Sequence, residues 1–275
     1  MIQSPYQIKG GDVKYMELKQ LKEETNDKEL DTINNFFDSS YSRVYADLLD
    51  IELEAQVNFL ETTYFHNNSH KQIRSLDLCC GSGRHLKELC KKGYCVDGVD
   101  INPTVVNEAR ESINGAKIYL SDAQIFNPKC NYDLVYSMES SIGYLPDEQT
   151  VKILKNVRDN LLTTDGIFVL HLINREYTVK NLTQRVWFGN SINGYLLEDR
   201  LFDPNQGALK IHQLRIIDGI AKDYSIKLRL YSLKEIEFLL NKAGLNIKNV
   251  YGDYSNNTYC MDSPYMIIEC FKYQS

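Results

Sequence analysis

The chain has 275 residues, of which 43% are apolar and 25% are charged, and its formal net charge is −6. These values are typical of a globular protein that is long enough to bury a core without disulfide bonds. No apolar run approaches the length that crosses a membrane, and no basic-then-apolar leader opens the chain, so we expect a cytoplasmic protein without a membrane partner. The acidic balance also argues against a chain-wide surface for nucleic acid.

The seven cysteines form neither a Cys-x-x-Cys pair nor a zinc-ligand spacing with histidine. The sequence therefore predicts free thiols in a reducing compartment and no metal site. Residues 1–30 are polar and irregular, which is typical of an N-terminal extension. We expect residues 31–275 to form one domain, present as a monomer or a homodimer.

The first periodic segment covers residues 31–65, where apolar residues recur every three or four positions, as on one face of a helix. Over residues 75–173 the pattern changes to short apolar runs that alternate with helical segments. The predicted strands in that stretch are residues 75–79, 95–99, 117–120, 132–137 and 167–173. Strands and helices that alternate at this spacing predict a parallel α/β sheet with right-handed crossovers.

The pattern changes again over residues 183–231. Segments rich in β-forming residues are separated there by turn signals, with no helical period between them, which predicts an antiparallel meander. A helix returns at Ser232, which forms a capping box with Glu235. Two final strands are predicted at residues 247–251 and 266–271. The meander is therefore expected to be an insertion between two parts of one sheet.

The stretch LDLCCGSGRH, residues 76–85, leads from a predicted buried strand through a tight turn into a helix. Gly81 and Gly83 would let a ligand approach the backbone closely, and the start of a helix offers unpaired N–H groups at the same place. Asp100 ends the second strand, where a carboxylate suits the two hydroxyls of a ribose. These features indicate a cofactor that contains a nucleoside.

The acids at the strand ends distinguish between candidate cofactors. A dinucleotide fingerprint requires a third glycine, and Leu86 occupies that position. Asp77 lies within the first strand, and Asp122 follows the third, where an acid can accept a hydrogen bond from an adenine amino group. Together with Asp100, these acids stand at three successive strand ends, which favours S-adenosylmethionine over NAD.

At these residues the chain resembles class I S-adenosylmethionine-dependent methyltransferases, over about residues 31–272. DLCCGSGRH is similar to the family's DLGCGTGRH, with Cys79 in place of the first small residue, where a positive φ would cost energy. YDLVYSMESSIGYL and DSPYMII resemble the branch that methylates amino sugars and other small molecules. The resemblance implies a Rossmann-like, seven-stranded, mostly parallel sheet with an antiparallel last strand, N-terminal helices and an inserted antiparallel β meander over the acceptor.

The same resemblance implies roles for individual residues, with residues 75–173 as the cofactor-binding half. The residues expected to bind S-adenosyl-L-methionine, or its product S-adenosyl-L-homocysteine, are Tyr45, Asp77, Gly81, Gly83, Arg84, Asp100, Ile101, Asp122, Ala123, Ser137 and Met138. Tyr45, or alternatively Tyr41, would reach the cofactor carboxylate from an N-terminal helix. The alternative for both is simple packing as an aromatic helix face.

The acceptor side is less marked in the sequence. Two candidate catalytic residues follow the fourth strand, Tyr144 to orient the acceptor and Glu139 to bind a cationic amine, with packing and solvation as their alternative roles. His171 lies inside a predicted buried strand and is expected to be a core residue. Further candidates for substrate binding are Tyr41, Trp187, Arg229, Tyr231 and Asp253.

No acidic cluster resembles a magnesium site, and a neutral amine needs little or no base. The sequence therefore favours methyl transfer to the amine nitrogen of a small molecule. A hydroxyl acceptor, a peptide or protein amine, and a non-catalytic cofactor-binding module stay open as alternatives. A nucleic-acid methyltransferase is disfavoured by the charge and by the lack of a base-flipping motif after the fourth strand, and an NAD-dependent dehydrogenase comes last.

Overall fold

The computed structural model describes residues 32–66 and 73–273, and the predicted N-terminal extension, residues 1–30, lies outside them. The strands in this part are β1 (Arg74–Leu78), β2 (Cys95–Asp100), β3 (Ile118–Leu120), β4 (Tyr132–Ser137), β5 (Leu162–Ile173), β6 (Arg185–Asn190), β7 (Gly194–Asp203), β8 (Ala208–Ile217), β9 (Ile220–Arg229), β10 (Leu245–Tyr251) and β11 (Tyr265–Lys272). The helices are α1 (Ser39–Leu60), α2 (Arg84–Lys91), α3 (Pro103–Ser112), α4 (Asp147–Asn156), α5 (Arg175–Lys180) and α6 (Leu233–Ala243).

Seven of these strands form one sheet with the spatial order β10-β11-β5-β4-β1-β2-β3. The strands from β3 to β5 in that order run parallel, whereas β11 is antiparallel to both β5 and β10. The other four, β6 to β9, form a separate antiparallel meander. The predicted fold class, with its antiparallel last strand and inserted meander, is therefore confirmed.

Successive residues of the central strands point to opposite faces of the sheet and supply two buried clusters. Val135 and Leu170 pack in the cluster that includes residues of α4 and α6. Leu134 and Val169 pack in the cluster that includes residues of α1, α2 and α3. Apolar residues on both sides of a strand are typical of a parallel sheet covered by helices on two faces, and this burial holds the carboxyl ends of the strands in place.

The main departure from the predicted elements lies in β5, which begins at Leu162 rather than at residue 167. Tyr132 pairs with Leu162 but Leu134 pairs with Ile167, so the turn signal at residues 165–166 is a bulge inside the strand. The short helix α5 and the 3₁₀ turn Ser141–Tyr144 were not predicted. Both are too short to show a helical period in the sequence.

Helix α1 packs against the inserted sheet through a buried arginine of β8. Arg215 is 1% exposed, and its Nη1 donates to Asp38 Oδ1 at 3.2 Å and to Ser40 Oγ at 3.0 Å. The same carboxylate caps α1, because Asp38 Oδ1 accepts from the backbone N–H groups of Ser40 and Tyr41 at 2.9 and 3.2 Å. One acid therefore starts the helix and binds it to the inserted sheet.

Further contacts satisfy the rest of the Arg215 side chain. Its Nε and Nη2 donate to Gln213 Oε1 at 2.9 and 2.8 Å. The guanidinium lies 4.7 Å from the ring centre of Phe36 and 4.0 Å from that of Tyr224, within the range of cation–π attraction. No helix in residues 32–66 or 73–273 is long and apolar enough to cross a membrane.

Replacing Arg215 with methionine should lower the free energy of unfolding by roughly 2–4 kcal/mol, because it leaves the buried Gln213 Oε1 without these donors and removes the cation beside Asp38. Urea denaturation followed by circular dichroism measures the change. The matched control is Arg185→Met, which removes an exposed ion pair with Asp199 from the same sheet and should change stability little. Equal effects of the two substitutions would contradict the role assigned to Arg215.

Candidate functional site

A cavity of about 700 Å³ lies at the carboxyl ends of the parallel strands. Its floor is the turn after β1, the end of β2 and the loops that follow β3 and β4. Its opposite wall consists of α1 and the inward face of the inserted sheet. Open α/β sheets bind ligands at this edge, so the fold itself places a candidate site here.

The turn after β1 has an unusual backbone. Cys79, Gly81 and Gly83 all have positive φ, of 63°, 54° and 76°. A Cβ on Gly83 would lie 2.6 Å from Ile113 Cδ1, whereas a Cβ on Gly81 would meet no atom within 4 Å and would project into open space. Gly83 precedes α2 without a side-chain cap, so the first-turn N–H groups of this helix have no side-chain acceptor there. The turn is built as a cradle for an anionic or polar ligand.

Asp77 lies under this cradle and is almost fully buried. Its side chain is 2% exposed and lines the cavity, and its Oδ2 makes no hydrogen bond of normal geometry, although the nearby Tyr136 hydroxyl interacts with the carboxylate and opposes the rise in its pKa. Burial, together with the negative charge of Asp100, raises the pKa of Asp77 to about 8. A cationic group bound in the cavity would stabilise the ionised carboxylate, and an α-amino group of an amino-acid moiety is such a cation.

Asp100 and the loop after β3 form the next part of the floor. Asp100 accepts hydrogen bonds from the N–H groups of Gly81 and Asn102, both at 2.9 Å, which fixes the orientation of its carboxylate. Burial raises its pKa, and these two hydrogen bonds oppose that rise. Ile101, Asp122 and Ala123 line the cavity beside it. This arrangement of one oriented carboxylate, one aliphatic face and a second acid fits a ribose with an attached base.

The other predicted cofactor residues divide into two groups. Arg84, Tyr45 and Met138 line the cavity, and Arg84 Nη1 donates to Leu49 O at 2.6 Å, which joins α2 to α1. Ser137 does not line it, because it lies fully buried in the last position of β4 with its hydroxyl unpartnered. We therefore no longer expect Ser137 to contact the cofactor.

Glu139 follows β4 and lines the cavity. Its φ of 58° is positive, and so is that of Ser140. Its Oε1 accepts a hydrogen bond from Gln56 Nε2, and its backbone N–H donates to His171 Nδ1 at 3.2 Å. In the part of the chain that the structure describes, no cationic side chain forms an ion pair with this carboxylate.

Buried polar groups hold Glu139 from behind. Gln56 is fully buried, and its Oε1 lies 2.7 Å from Nε2 of His85, while its Nε2 also donates to Tyr254 Oη at 2.9 Å. Burial lowers the pKa of His85 to about 3, so this imidazole is neutral. Burial also lowers the pKa of His171, which is a core residue of β5 as expected. Neutral histidines therefore supply no positive charge beside Glu139.

Aromatic side chains lie between Glu139 and the inserted sheet. Tyr41 and Tyr45 of α1 stack with ring centres 4.5 Å apart, and Tyr144 lies in the same wall. Burial raises the pKa of all three hydroxyls, which are therefore neutral donors and acceptors. Tyr45 Oη donates to Glu198 Oε2 at 2.8 Å, so it is committed to the inserted sheet. The two predicted roles of Tyr45, in packing and in cofactor binding, both stay proposals.

Four predicted substrate residues lie away from the cavity. Trp187 is 73% exposed on β6, and Arg229 donates to Gly207 O and to Glu235. Tyr231 is buried with its hydroxyl donating to Asp147, and Asp253 caps the loop of residues 255–257. None of the four lines the cavity, and three of them, Arg229, Tyr231 and Asp253, make hydrogen bonds within the protein instead.

The sequence reasoning missed Gln56, Glu198 and Gln213, which all reach the cavity region from α1 or the inserted sheet. Glu198 is 4% exposed, whereas its neighbours Leu197 and Leu201 are 44% and 46% exposed. β7 thus places Glu198 on the same inward face as the fully buried Leu196, and leucines also lie on its outward face. Because apolar residues occur on both faces, only the fold shows which face is inward.

Comparisons with known proteins agree with this geometry. Residues 76–166 match the family model of a methyltransferase domain. A curated relative from Streptomyces venezuelae, a dTDP-3-amino-3,4,6-trideoxy-α-D-glucopyranose N,N-dimethyltransferase, is 31% identical over 70 residues. That match covers 26% of this chain and 30% of the relative, so the chain spans less than a third of the relative's length in the aligned part.

Solved structures show the same architecture. The CcbJ methyltransferase of Streptomyces caelestis superposes with a TM-score of 0.70 at 18% identity, over 86% of this chain and 98% of that one. The amino pentose methyltransferase CalS10 of Micromonospora echinaspora, solved with S-adenosylmethionine bound, superposes with a TM-score of 0.58 at 15% identity, over 81% and 90%. At these identities the likeness establishes the fold.

Residues 76–166 therefore match a methyltransferase domain, the described residues have the Rossmann-like fold seen in S-adenosylmethionine-dependent methyltransferases, and the predicted resemblance is confirmed. S-adenosylmethionine, the predicted cofactor, also fits the residues present. The open cradle at Gly81 and the buried carboxylate of Asp77 suit its amino-acid part, and Asp100 suits its ribose. The individual contacts stay proposals.

The raised pKa of Asp77 has a consequence for stability. The folded protein holds this proton up to about pH 8, whereas the unfolded chain releases it near the ordinary value of 3.8, so Asp77 destabilises the fold increasingly as the pH rises between those values. Asp77→Asn should therefore be more stable than the wild type at pH 8 and nearly equal to it at pH 4. Urea denaturation of the cofactor-free proteins measures this, and parallel pH profiles would contradict it.

Asp100→Asn should weaken the binding of S-adenosylhomocysteine by roughly 1–3 kcal/mol, because an amide loses the charge that strengthens hydrogen bonds from ribose hydroxyls. Isothermal titration calorimetry measures the affinity. Glu111→Gln, at an exposed acid of α3, is the matched control and should bind like the wild type. Unchanged affinity in a folded Asp100→Asn variant would remove Asp100 from the site.

Proposed function

We propose that this protein transfers a methyl group from S-adenosylmethionine to the amine nitrogen of a small molecule. The observation that carries the proposal is Glu139, a carboxylate that faces the cavity beside Met138 and has no cationic protein partner among the described residues. A carboxylate in a partly enclosed site favours a cation opposite to it. An ammonium group of the acceptor supplies that cation.

The cofactor, when bound, supplies an activated methyl group on a sulfonium, with the thioether as a good leaving group. The protein has to align the acceptor nitrogen with the methyl group and to exclude water. The oriented Asp100 and the cradle after β1 hold the cofactor half of the cavity. Helix α1 and the inserted sheet cover the acceptor half, joined to each other through Arg215.

Glu139 would do two things for the acceptor. Its Oε1 is held by Gln56, so Oε2 is the atom that can accept a hydrogen bond from an incoming ammonium group. The same oxygen can take up the proton that an amine must lose before its lone pair attacks. Tyr144, neutral and in the same wall, would orient the nitrogen through its hydroxyl. The amine acceptors named in similar proteins, an amino sugar and an amino pentose, support this proposal.

The direct test incubates the protein with S-adenosylmethionine and a panel of small primary and secondary amines, with the corresponding alcohols alongside. Mass spectrometry follows S-adenosylhomocysteine and the methylated product. The proposal requires methylated amines. Methylation of the alcohols alone would replace it with a hydroxyl acceptor, and cofactor binding without transfer to either class would indicate a non-catalytic module.

Glu139→Gln should raise the KM for an amine acceptor about 10- to 100-fold, because the neutral amide loses the charge that faces the ammonium group. Its affinity for S-adenosylhomocysteine should stay within about twofold of the wild type, since Glu139 belongs to the acceptor side. Glu148→Gln, an exposed acid at the start of α4, is the control for the loss of one charge. A rise in cofactor Kd that matches the rise in KM would contradict this assignment.

A further inference from the structure

The acceptor half of the cavity continues past Glu139 along the inserted sheet, and its wall there is aliphatic. Leu209 of β8 and Leu228 of β9 face each other in register and are each 5% exposed. Ile211 lies two residues further along β8 on the same face, and Ile173 and Leu182 extend this surface. We refer to Leu209, Ile211 and Leu228 as the aliphatic wall. Apolar lining of this kind favours an apolar ligand surface over a hydrated one.

The charges around this wall are unfavourable for an anion. The cationic side chains among the described lining residues are Arg84 and Arg200. Arg84 lies in the cofactor half and donates to Leu49 O, and Arg200 Nε donates to Glu198, which is buried in the same wall. The acids of the lining on this side are Glu139 and Glu198, whereas Asp77, Asp100 and Asp122 lie in the cofactor half. A phosphate or diphosphate placed against the wall would meet the two carboxylates on this side, and the described cation beside the wall, Arg200, is already paired with Glu198.

We propose that the acceptor is an amine carried on an apolar body without phosphate groups, and that the aliphatic wall determines this specificity. The inference rests on the proposed amine methylation and deepens it by naming the class of acceptor. The amine lies against Glu139, where the chain leaves β4, and the apolar body extends along Leu209, Ile211 and Leu228. The curated relative, whose name gives a dTDP-linked amino sugar as substrate, would differ from this chain in that respect.

The test measures binding to the complex with S-adenosylhomocysteine, so that no methyl transfer is needed. Ethylamine, butylamine and hexylamine are titrated by calorimetry in the presence of saturating S-adenosylhomocysteine. Each buried methylene contributes about 0.8 kcal/mol, so affinity should rise roughly fourfold per methylene as the chain extends along the wall. Hexanol should bind at least tenfold more weakly than hexylamine, because it lacks the charge that Glu139 binds.

Leu209→Ala tests the wall itself. It should lower the dependence of affinity on chain length while leaving ethylamine and S-adenosylhomocysteine bound as in the wild type. The matched control is Leu197→Ala, at a leucine on the outward face of β7 in the same sheet, which should leave the whole series unchanged. Unchanged S-adenosylhomocysteine binding shows that each variant is folded. An equal effect of both substitutions would remove the wall from the site.

A dTDP-linked amino sugar is titrated and assayed in parallel. An affinity series that is flat with chain length, or tighter binding of the nucleotide-linked sugar than of hexylamine, overturns the inference. Methyl transfer from S-adenosylmethionine to hexylamine is measured separately. Amines that bind with the expected dependence on chain length but are not methylated would overturn the proposed function and support the specificity of the aliphatic wall. Methylation of the nucleotide-linked sugar would support the proposed function and overturn the specificity.

Discussion

The wall of the cavity that α1 and the inserted sheet form depends on one buried guanidinium, that of Arg215. Removing an arginine from water is costly unless its donors and its charge are satisfied, and Arg215 meets this condition with Asp38, Ser40, Gln213 and two aromatic faces. Those partners come from α1 and from the inserted sheet, which share no strand pairing. Gln213 also donates to Tyr45 Oη at 2.8 Å. The contact that joins α1 to the inserted sheet therefore also orients polar groups of the cavity wall.

Backbone strain occurs in two segments that line the cavity, directly after β1 and directly after β4. Cys79 after β1, and Glu139 and Ser140 after β4, have positive φ without being glycine. Each such residue costs about 1–3 kcal/mol and persists only where the surrounding packing imposes it. The positive φ of Cys79 belongs to the turn after β1, and that of Glu139 belongs to the segment after β4 that lines the cavity. Both parts of the cavity floor therefore contain a strained residue directly after a strand of the parallel sheet.

The cofactor half was accessible from the sequence because its features are local. A strand, a glycine turn and the start of a helix follow one another within residues 76–85. The acids at positions 77, 100 and 122 lie in or directly after the first three strands. The acceptor half was accessible only in part. Glu139 and Tyr144 are close to a strand end, and the structure places both at the cavity. Trp187 and Tyr231 lie in the meander or beside it, and their position in the sequence does not reveal whether a side chain faces the cavity.

The sequence by itself determined the parallel sheet, the meander, the turn that opens α2 and the class of cofactor, because periodicity, turn residues and helix caps act over a few neighbouring positions. Only the tertiary structure decided what meets across the cavity. Gln56, His85, Glu139 and Glu198 lie far apart in the chain, and only packing determines which hydrogen-bond partners they have. In the packed interior the dielectric constant is low, so interactions between these polar groups and a bound ligand are stronger than they would be in water.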